Sequence, residues 1–456
     1  MDLKLHPEAA ARFDALAREL FGKLREVSPE SLRQRRPGFE PDTFVAASFT
    51  EKDIVGEIQQ LGTVNLYSGE VAELVFHEGE RAFKLIGEAC QDFEQLVTRL
   101  SQIEPLSRFV TRTTIRSTTI DWISARLRQP ATANMIAYLS DQIGPRVSAT
   151  IAVIPVAFLH VESPLPFGRV TFRHLNAPFF DSLSAWRDRI PDEDGKQGFD
   201  RWLLDYRRKL QGYAAVYVEV EGEPDFVNER ALQEATHAVA MLRILAPESL
   251  YPEARSFVAP VDLQPPPTYD VWLFDPGQSI PKQRHRGPHP PTPIPWTLSD
   301  NTMRQIRANF AFDDLSTLAR GQGLSPFEKT LEECILLFSK ATGTASPAEK
   351  LVFVSVSLET LLVRNSNEFI QQSVGDRFAF LLTHEPTKRK ELVALFKSCY
   401  DLRSSFLHHG RSPSDLNVLR EFLHHAWSLL MRLLKHRSEF QTKAHLLDYA
   451  DSIKYS

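Results

Sequence analysis

Residues 325–363 read SPFEKTLEECILLFSKATGTASPAEKLVFVSVSLETLLV and contain two strongly marked helix starts. In Ser325-Pro326-x-Glu328 and again in Ser346-Pro347-x-Glu349, the serine can accept hydrogen bonds from free backbone amides. Proline suits the first helical turn, where its missing N–H costs nothing, and the acidic residue can complete a capping box. The stretch therefore predicts consecutive helices at 326–342 and 347–364.

Similar signals continue towards the C-terminus. Ser412-Pro413-x-Asp415 predicts another capped helix, Pro386-Thr387 marks a further start, and Gly410 marks a stop. From residue 297 onward each periodic segment is helical, which predicts an antiparallel helical bundle. The predicted helices lie near 299–319, 326–342, 347–364, 367–383, 387–408 and 413–440.

The chain before residue 260 is predicted to mix helices and strands. Residues 6–27 have the 3.6-residue apolar period of an amphipathic helix, whereas 43–76 and 107–120 alternate apolar and polar residues as strands do. Further strands are predicted at 147–162, 168–175 and 214–221, and further helices at 80–103, 119–142, 180–210 and 228–245.

Residues 260–296 contain 11 prolines, which predicts a linker or an extended strap. The expected organisation is a mixed α/β region at 1–259, as one domain or two subdomains, this proline-rich segment, and a helical domain at 297–456. The predicted fold class is thus α+β. The position of the α/β region suggests that it senses a trigger, selects a target or restrains the helical domain.

Composition indicates a globular protein of the cytoplasm. Of the 456 residues, 43% are hydrophobic and 24% charged, and no apolar run is long enough to cross a bilayer. Cys90, Cys334 and Cys399 are widely spaced and odd in number, so we expect neither a disulfide framework nor a zinc site. The net charge is −5, yet residues 297–456 carry 20 Lys and Arg against 18 Asp and Glu, which favours that part for an anionic partner.

The segment from Tyr400 to Gly410, YDLRSSFLHHG, carries the strongest chemical signal. It places Arg403 and the histidines His408 and His409 near the end of a predicted helix. RNA supplies its own nucleophile, the 2′-hydroxyl, so a histidine that moves a proton and an arginine that binds the phosphate suffice for cleavage. We therefore expect no metal and no cofactor.

This segment resembles the signature of HEPN domains, Arg-x(4–6)-His, and most closely that of the Apea-type branch. That branch has Tyr-x-x-Arg-Ser followed by His-Gly, which Tyr400, Arg403, Ser404, His409 and Gly410 match in order. The upstream Ser-Leu-Glu-x-Leu at 357–361 also matches. The resemblance covers about residues 300–440, and Apea-type proteins also carry an α/β region before the helical domain.

The resemblance implies a homodimer in which two motifs face each other in one cleft. It also implies metal-independent cleavage of RNA, often tRNA, in bacterial anti-phage or toxin systems, with a phage-derived trigger or an antitoxin as a further partner. Two features depart from the pattern. First, the doubled histidine leaves open which histidine belongs to the motif: the Arg-x4-His spacing favours His408, whereas the His-Gly pair favours His409. Second, Ser404 lies where many members of the family have Asn, Asp or His.

Several other residues are weaker candidates. Glu359 lies on an apolar helix stripe and needs a partner, so it either orients Arg403 or a histidine, or forms an ion pair at the bundle surface. Tyr400 is expected mainly to pack. The weak candidates for RNA binding, each also explained by a solvated surface, are Lys282, Arg284 and Arg286 in the proline-rich segment and Arg112, Arg116, Arg126 and Arg128 around the Thr-rich predicted strand. His424 and His425 are better explained by packing than by metal binding.

Two alternatives to a ribonuclease remain. A non-catalytic HEPN module would use the same positive pocket to bind RNA, a nucleotide or a protein partner. A transcriptional or signalling regulator, the weaker alternative, would bind a small ligand through its N-terminal domain.

Overall fold

The structure is a computed structural model of the chain. It describes residues 5–27, 62–65, 71–78, 81–263, 269–273, 282–286, 295–365, 367–413 and 415–454. Contacts divide the chain into two compact units, one of Met1–Thr150 with Glu219–Arg230 and the other of Ile151–Val218 with Ala231–Ser456. This division does not follow the predicted boundaries at 260–296, because strands at 151–218 belong to the same unit as the C-terminal helices.

The first unit combines an antiparallel sheet with helices. Its sheet has the strand order β1-β4-β3-β2. Its elements are α1 (Pro7–Gly22), β1 (Arg25–Val27), β2 (Gly62–Asn65), β3 (Val71–Glu78), β4 (Arg81–Ile86), α2 (Glu88–Ser101), α3 (Leu106–Phe109), α4 (Arg112–Arg128) and α5 (Met135–Ile143). Apolar residues of the helices and of β3 and β4 form one core that includes the fully buried Phe76, Phe93 and Trp122.

The strand predicted at 107–120 is wrong, because most of that segment is helix α4. Thr111 caps the helix by accepting a hydrogen bond from the backbone N–H of Thr114. The hydroxyls of Thr118 and Thr119 donate to the carbonyls of the residues four positions earlier, over 2.8 and 2.7 Å. Buried threonines thereby satisfy their hydroxyls within a helix, so β-branched residues do not require a strand here.

Two neighbouring predictions also need correction. The helix predicted at 80–103 begins only at Glu88, after strand β4. The first helix ends at Gly22 and is followed by strand β1, where the sequence predicted helix up to residue 27. The strands predicted in 43–76 are confirmed at β2 and β3, whereas residues 43–61 lie outside the described part of the chain.

The second unit contains a five-stranded sheet of order β10-β5-β9-β8-β7, a parallel pair of β6 with β13, and a hairpin of β11 with β12. The strands are β5 (Ser148–Ala157), β6 (Leu159–Val161), β7 (Leu165–Phe167), β8 (Val170–His174), β9 (Ala214–Gly222), β10 (Ala259–Pro260), β11 (Tyr269–Leu273), β12 (Lys282–Arg286) and β13 (Trp296–Leu298). The segment at 260–296, predicted as a linker, therefore contains paired strands. Strands β11 and β12 contain no proline, so their backbone groups can pair with each other.

The remaining elements of this unit are helical. They are α6 (Ala177–Ser184), α7 (Glu193–Leu210), α8 (Pro224–Arg243), α9 (Asp300–Asn309), α10 (Phe312–Leu318), α11 (Pro326–Thr342), α12 (Pro347–Leu362), α13 (Ile370–Leu382), α14 (Pro386–His409), α15 (Leu416–Lys435) and α16 (Lys443–Lys454). Helix was predicted from residue 297 onward, but residues 297 and 298 belong to strand β13; from residue 300 onward all regular structure in the described ranges is helical. The α+β class is confirmed.

The predicted caps are largely correct. Ser325 forms a complete capping box with Glu328, and Ser346 accepts from the backbone N–H of Glu349. Ser412 was predicted to cap the last long helix, but Asp415 does so by accepting from the N–H groups of Asn417 and Val418. Helix α15 therefore begins one turn later than predicted.

An aromatic cluster joins three of these helices. Phe378 of α13, Phe396 of α14 and Phe422 of α15 are all buried, and their ring centroids lie 5.8 to 6.2 Å apart. Aromatic rings at such separations contribute packing energy beyond their buried area. The cluster packs helix α14, which carries the segment from Tyr400 to Gly410, against helices α13 and α15.

Candidate active site on helix α14

Helix α14 ends where the sequence predicts. Gly410 has φ of 65°, in the left-handed region that glycine adopts without penalty. Its N–H donates to the carbonyl of Phe406 over 2.8 Å, which satisfies one of the last carbonyls of the helix. Arg403, His408 and His409 thus lie in the last two turns of a regular helix.

Arg403 is paired with Glu359 of helix α12. The Nη1 atom of Arg403 donates to Oε1 of Glu359 over 2.6 Å, and Nη2 lies 3.4 Å from Oε2. Both side chains are largely buried, with 16% and 18% of their surface exposed. Of the partners that the sequence left open for Glu359, the structure pairs it with Arg403, in an ion pair that is largely buried.

Burial and charge act on Glu359 in opposite directions. Burial raises the pKa of the carboxyl, and the charge and hydrogen bond of Arg403 only partly oppose that rise. The Nε atom of Arg403 is buried without a hydrogen-bond partner among the described residues. An anion that approached this guanidinium would therefore meet a cation whose Nη1 and Nη2 atoms already face the carboxylate of Glu359.

The ring of Tyr400 packs against the guanidinium of Arg403. The Cζ atom of Arg403 lies 5.5 Å from the centroid of the Tyr400 ring, which is a cation–π distance. That ring stacks on Phe396 at 6.3 Å with an interplanar angle of 26°. The packing role expected for Tyr400 is therefore observed, and it connects Arg403 to the aromatic cluster.

The two histidines are exposed at the end of the helix. Their ring centroids lie 6.4 Å apart, and in the described part of the chain neither ring hydrogen-bonds to Arg403 or Glu359. At about 100° per residue, His408 and His409 lie about 140° and about 120° around the helix from Arg403, on opposite sides. Leu407, one turn after Arg403, occupies its face of the helix and is 54% exposed.

The other motif residues have ordinary surroundings. Ser404 is partly buried and follows Arg403 on the helix. Asp401 accepts a hydrogen bond from Nε2 of Gln371 over 2.9 Å. Of the motif residues, the structure therefore joins Arg403, Tyr400 and Glu359, and leaves the histidines accessible.

The weaker candidates have separate explanations. Arg112 and Arg116 lie on helix α4, not on a strand, and both pair with Glu94. Arg126 packs over the rings of Phe21 and Trp122. The prediction of a basic face on a strand is thus wrong. The segment is helical, and Arg112, Arg116 and Arg126 contact Glu94 or aromatic rings of the first unit.

Lys282, Arg284 and Arg286 lie on β12, opposite Leu273, Val271 and Tyr269 of β11, and their side chains are outside the described set.

His424 and His425 lie side by side on helix α15, with ring centroids 5.6 Å apart. Burial, and secondarily His424, lowers the pKa of His425, while Glu421 opposes this shift. Within the described ranges, no group of three or more His, Cys, Asp or Glu side chains is arranged to hold a metal ion. The surroundings of His425 agree with the packing role expected for it.

The sequence did not predict a second group of polar side chains, which lines a cavity. His160 and His174 line a cavity of about 460 Å³ together with Arg207 and Arg208. No motif links these residues, since they come from β6, β8 and α7, and only the tertiary structure brings them together.

Among the helices described, none is both long enough and apolar enough to cross a membrane. Comparison of the chain with known protein families, with curated proteins and with solved structures finds no match.

Proposed function

We propose that residues 297–456 form a HEPN-like domain that cleaves RNA without a metal ion. The observation that carries the proposal is the placement of Arg403, held by Glu359 and Tyr400, on the helix that ends in the exposed pair His408 and His409. An oriented guanidinium can bind a phosphate through two donors, and an exposed imidazole can exchange a proton with a substrate.

The proposed reaction is a transesterification. The 2′-hydroxyl oxygen of one nucleotide attacks the adjacent phosphorus, its proton passes to a general base, and the bond from phosphorus to the 5′-oxygen breaks. The leaving 5′-oxygen takes a proton from a general acid. The products are a 2′,3′-cyclic phosphate and a 5′-hydroxyl, so no water is consumed. Arg403 stabilises the charge on the non-bridging oxygens, and His408 or His409 moves the proton.

Helix geometry supports a site shared by two copies of the chain. Because both histidines lie more than about 100° around α14 from Arg403, one helix presents arginine and histidine to different directions. In a homodimer, Arg403 of one copy and a histidine of the second can face one phosphate. This arrangement agrees with the composite cleft that the family resemblance implies.

The wider role follows the same resemblance. We propose that the RNA, with tRNA as a candidate, is cut in an anti-phage or toxin system of the cytoplasm, under control of a trigger or an antitoxin. The α/β region would sense that trigger or select the RNA. These assignments rest on the motif and on the order of the regions along the chain.

The alternative is a non-catalytic HEPN module, and the ion pair of Arg403 bears on both functions. Glu359 already occupies Nη1 of Arg403, so a phosphate must share or displace a carboxylate. A module that only recognises RNA, a nucleotide or a protein partner could use the same pocket. The two functions differ in whether RNA is broken.

The test is RNA cleavage by the purified full chain in EDTA with a tRNA pool. The variants are Arg403→Ala, the His408→Ala/His409→Ala double variant and each single histidine variant. The matched controls are Arg304→Ala and His445→Ala, which change exposed residues of α9 and α16. We expect the wild type and both controls to leave cyclic phosphate ends, and Arg403→Ala and the double variant to lose about 10²-fold or more in rate.

Cleavage that requires a divalent ion, or that persists in Arg403→Ala and the double variant, would remove the proposed mechanism. Retained RNA binding without cleavage by the wild type would select the binding module. The two single variants identify the histidine, with His408 expected from the Arg-x4-His spacing.

A further inference from the structure

Two histidines from different strands meet beside the five-stranded sheet of the second unit. His160 lies on β6 and His174 ends β8, and their ring centroids are 4.6 Å apart with an interplanar angle of 69°. Leu159 and Val161 on either side of His160 are buried, so alternation along the strand turns His160 to the opposite face.

The protonation of His160 follows from its partner. Its Nδ1 lies 2.8 Å from the carbonyl oxygen of Gly212. Since a carbonyl can only accept, Nδ1 carries the hydrogen, and in the neutral ring Nε2 is left with a lone pair. Gly212 has φ of 99°, so glycine is required in the turn that presents this carbonyl.

One ring nitrogen of His174 lacks a hydrogen-bond partner among the described residues. This nitrogen, Nε2, is buried. Burial, and then the neighbouring His160, lowers the pKa of His174, which favours the neutral ring. A buried polar nitrogen without a partner costs free energy, and a ligand that supplied one would recover it.

Both histidines line an open cavity of about 460 Å³, which is within the range of small-molecule sites. Its other lining residues include Arg207 and Arg208 of α7 and Asn176, which caps helix α6. The position of Arg207 is fixed, because Nε donates to Gln211 over 2.9 Å and Nη1 to Asp181 over 3.2 Å. Arg208 is 75% exposed, and its Nη1 lies 3.7 Å from Asp205.

We propose that this cavity binds the phosphate group of a small phosphate monoester. The two guanidinium groups attract the anion, and Arg207 can donate to it through Nη2 while Nε and Nη1 contact Gln211 and Asp181. Protonated His174 donates from the nitrogen that otherwise lacks a partner. The site is separate from the motif on α14 and does not depend on RNA cleavage.

Anion binding at this cavity takes up a proton. The charged groups that face His174 and its neighbours are His160, Arg207 and Arg208, with Asp181 and Asp205 paired to the arginines. Burial lowers the pKa of His174, and a bound anion favours its protonated form, so affinity rises as the pH falls. Sulfate is a clean probe of this linkage, because it stays a dianion throughout that range whereas phosphate titrates.

The test is isothermal titration calorimetry of the full chain in EDTA at low salt. The ligands are adenosine 5′-monophosphate, inorganic phosphate and sulfate, and the variants are His174→Gln and Arg207→Gln. Arg201→Gln is the matched control, since Arg201 is exposed on the same helix α7 and its Nε donates to the carbonyl of Gln197 within that helix. Circular dichroism checks that each variant is folded.

We expect one anion per chain, a loss of about tenfold or more in affinity for each of the two site variants, and less than about twofold for the control. Sulfate should bind more tightly near pH 6 than near pH 8. Tighter binding of adenosine 5′-monophosphate than of inorganic phosphate would support a phosphate monoester as the ligand. Equal affinities would overturn the monoester and leave free phosphate as the ligand. No saturable binding by the folded wild type, or equal affinity in all variants, overturns the site.

Discussion

Arg403 and Glu359 form an ion pair between helices α14 and α12, with 2.6 Å from Nη1 to Oε1. The two residues are 44 positions apart in the chain, and each leaves less than a fifth of its side chain exposed. Removing one member of such a pair leaves the other charge poorly solvated. Losing either member alone is therefore expected to destabilise the helical region, and the pair directs the guanidinium towards α12.

Glu359 is expected to act as a positioning residue for Arg403. Glu359→Ala should lower kcat for RNA cleavage by about 10²-fold, since a misplaced catalytic group costs that much. Glu359→Gln keeps an oxygen that accepts from Nη1, and should retain activity within about tenfold. Single-turnover cleavage and thermal unfolding of both variants make the comparison. A merely structural role would instead lower stability while leaving the kcat of the folded fraction unchanged.

A shared active site predicts complementation between inactive variants. When Arg403→Ala and the His408→Ala/His409→Ala double variant are mixed and allowed to exchange subunits, half of the dimers are mixed, and each contains one intact site. Cleavage should then recover to about a quarter of the wild-type rate, given free exchange of a twofold dimer. Each variant alone is the control. No recovery, with subunit exchange shown by native mass spectrometry, would exclude a site built from two copies.

Arg377 anchors a network that should make the protein sensitive to acid. Only 6% of its side chain is exposed, and it makes five hydrogen bonds, to Glu368, Asp451 and the carbonyl of Leu362. Bonds from Arg377 lower the pKa of Glu368 and of Asp451 below their ordinary values of 4.5 and 3.8. Their stabilisation is complete above those ordinary values and is lost as the pH falls through the lower folded values.

At neutral pH, Asp451→Asn should lower the free energy of unfolding by about 1–2 kcal/mol, because it weakens charged hydrogen bonds to a buried arginine. Asp448→Asn is the matched control. Asp448 is 65% exposed and pairs with Arg364, so its loss should cost less than about 1 kcal/mol. Urea unfolding at neutral pH and near pH 3 measures both variants, and equal losses for the two would contradict the assignment.

Lys350 predicts a stability change at alkaline pH. The residue is 1% exposed, and burial lowers its pKa to about 8 although Glu248 and Glu253 oppose that shift. Between about pH 8 and its ordinary value of 10.5, the unfolded chain binds the proton and the folded chain does not. The folded state is therefore favoured increasingly as the pH rises through this window.

Relative to Lys350→Met, the wild type should gain up to about 3 kcal/mol of stability across that window. Urea unfolding at several pH values gives the difference between the two proteins and cancels the titration of other groups. Lys340→Met, at an exposed position of helix α11, is the control and should show no such pH dependence. A constant difference between Lys350→Met and the wild type would mean that Lys350 keeps its ordinary pKa.

Gly410→Ala should destabilise the protein by about 1 kcal/mol, because alanine is strained in the left-handed region. A methyl group there meets no atom within 4 Å, so the cost is conformational rather than steric. Gly198→Ala is the matched control, since Gly198 has equal space around it but lies inside helix α7. That change should stabilise by up to about 1 kcal/mol. Thermal unfolding tests whether the two substitutions have opposite signs.

Local chemistry explains which structural predictions are correct. Ser325, Ser346 and Gly410 act through bonds to residues a few positions away, so their patterns predict helix ends reliably. The Thr-rich segment at 107–120 was assigned to a strand because alternation and β-branching resemble one. The structure makes it a helix, since buried threonines there bond to their own backbone.

The sequence by itself determined the α+β class, most of the helix starts and the stop that places His408 and His409 at the end of α14. Tertiary structure alone decided that Glu359 holds Arg403 and that His160 meets His174. Helix signals depend on neighbours within one or two turns, so they can be read along the chain. Pairs such as these depend on how distant elements pack, and their energy is available only once burial removes water from between them.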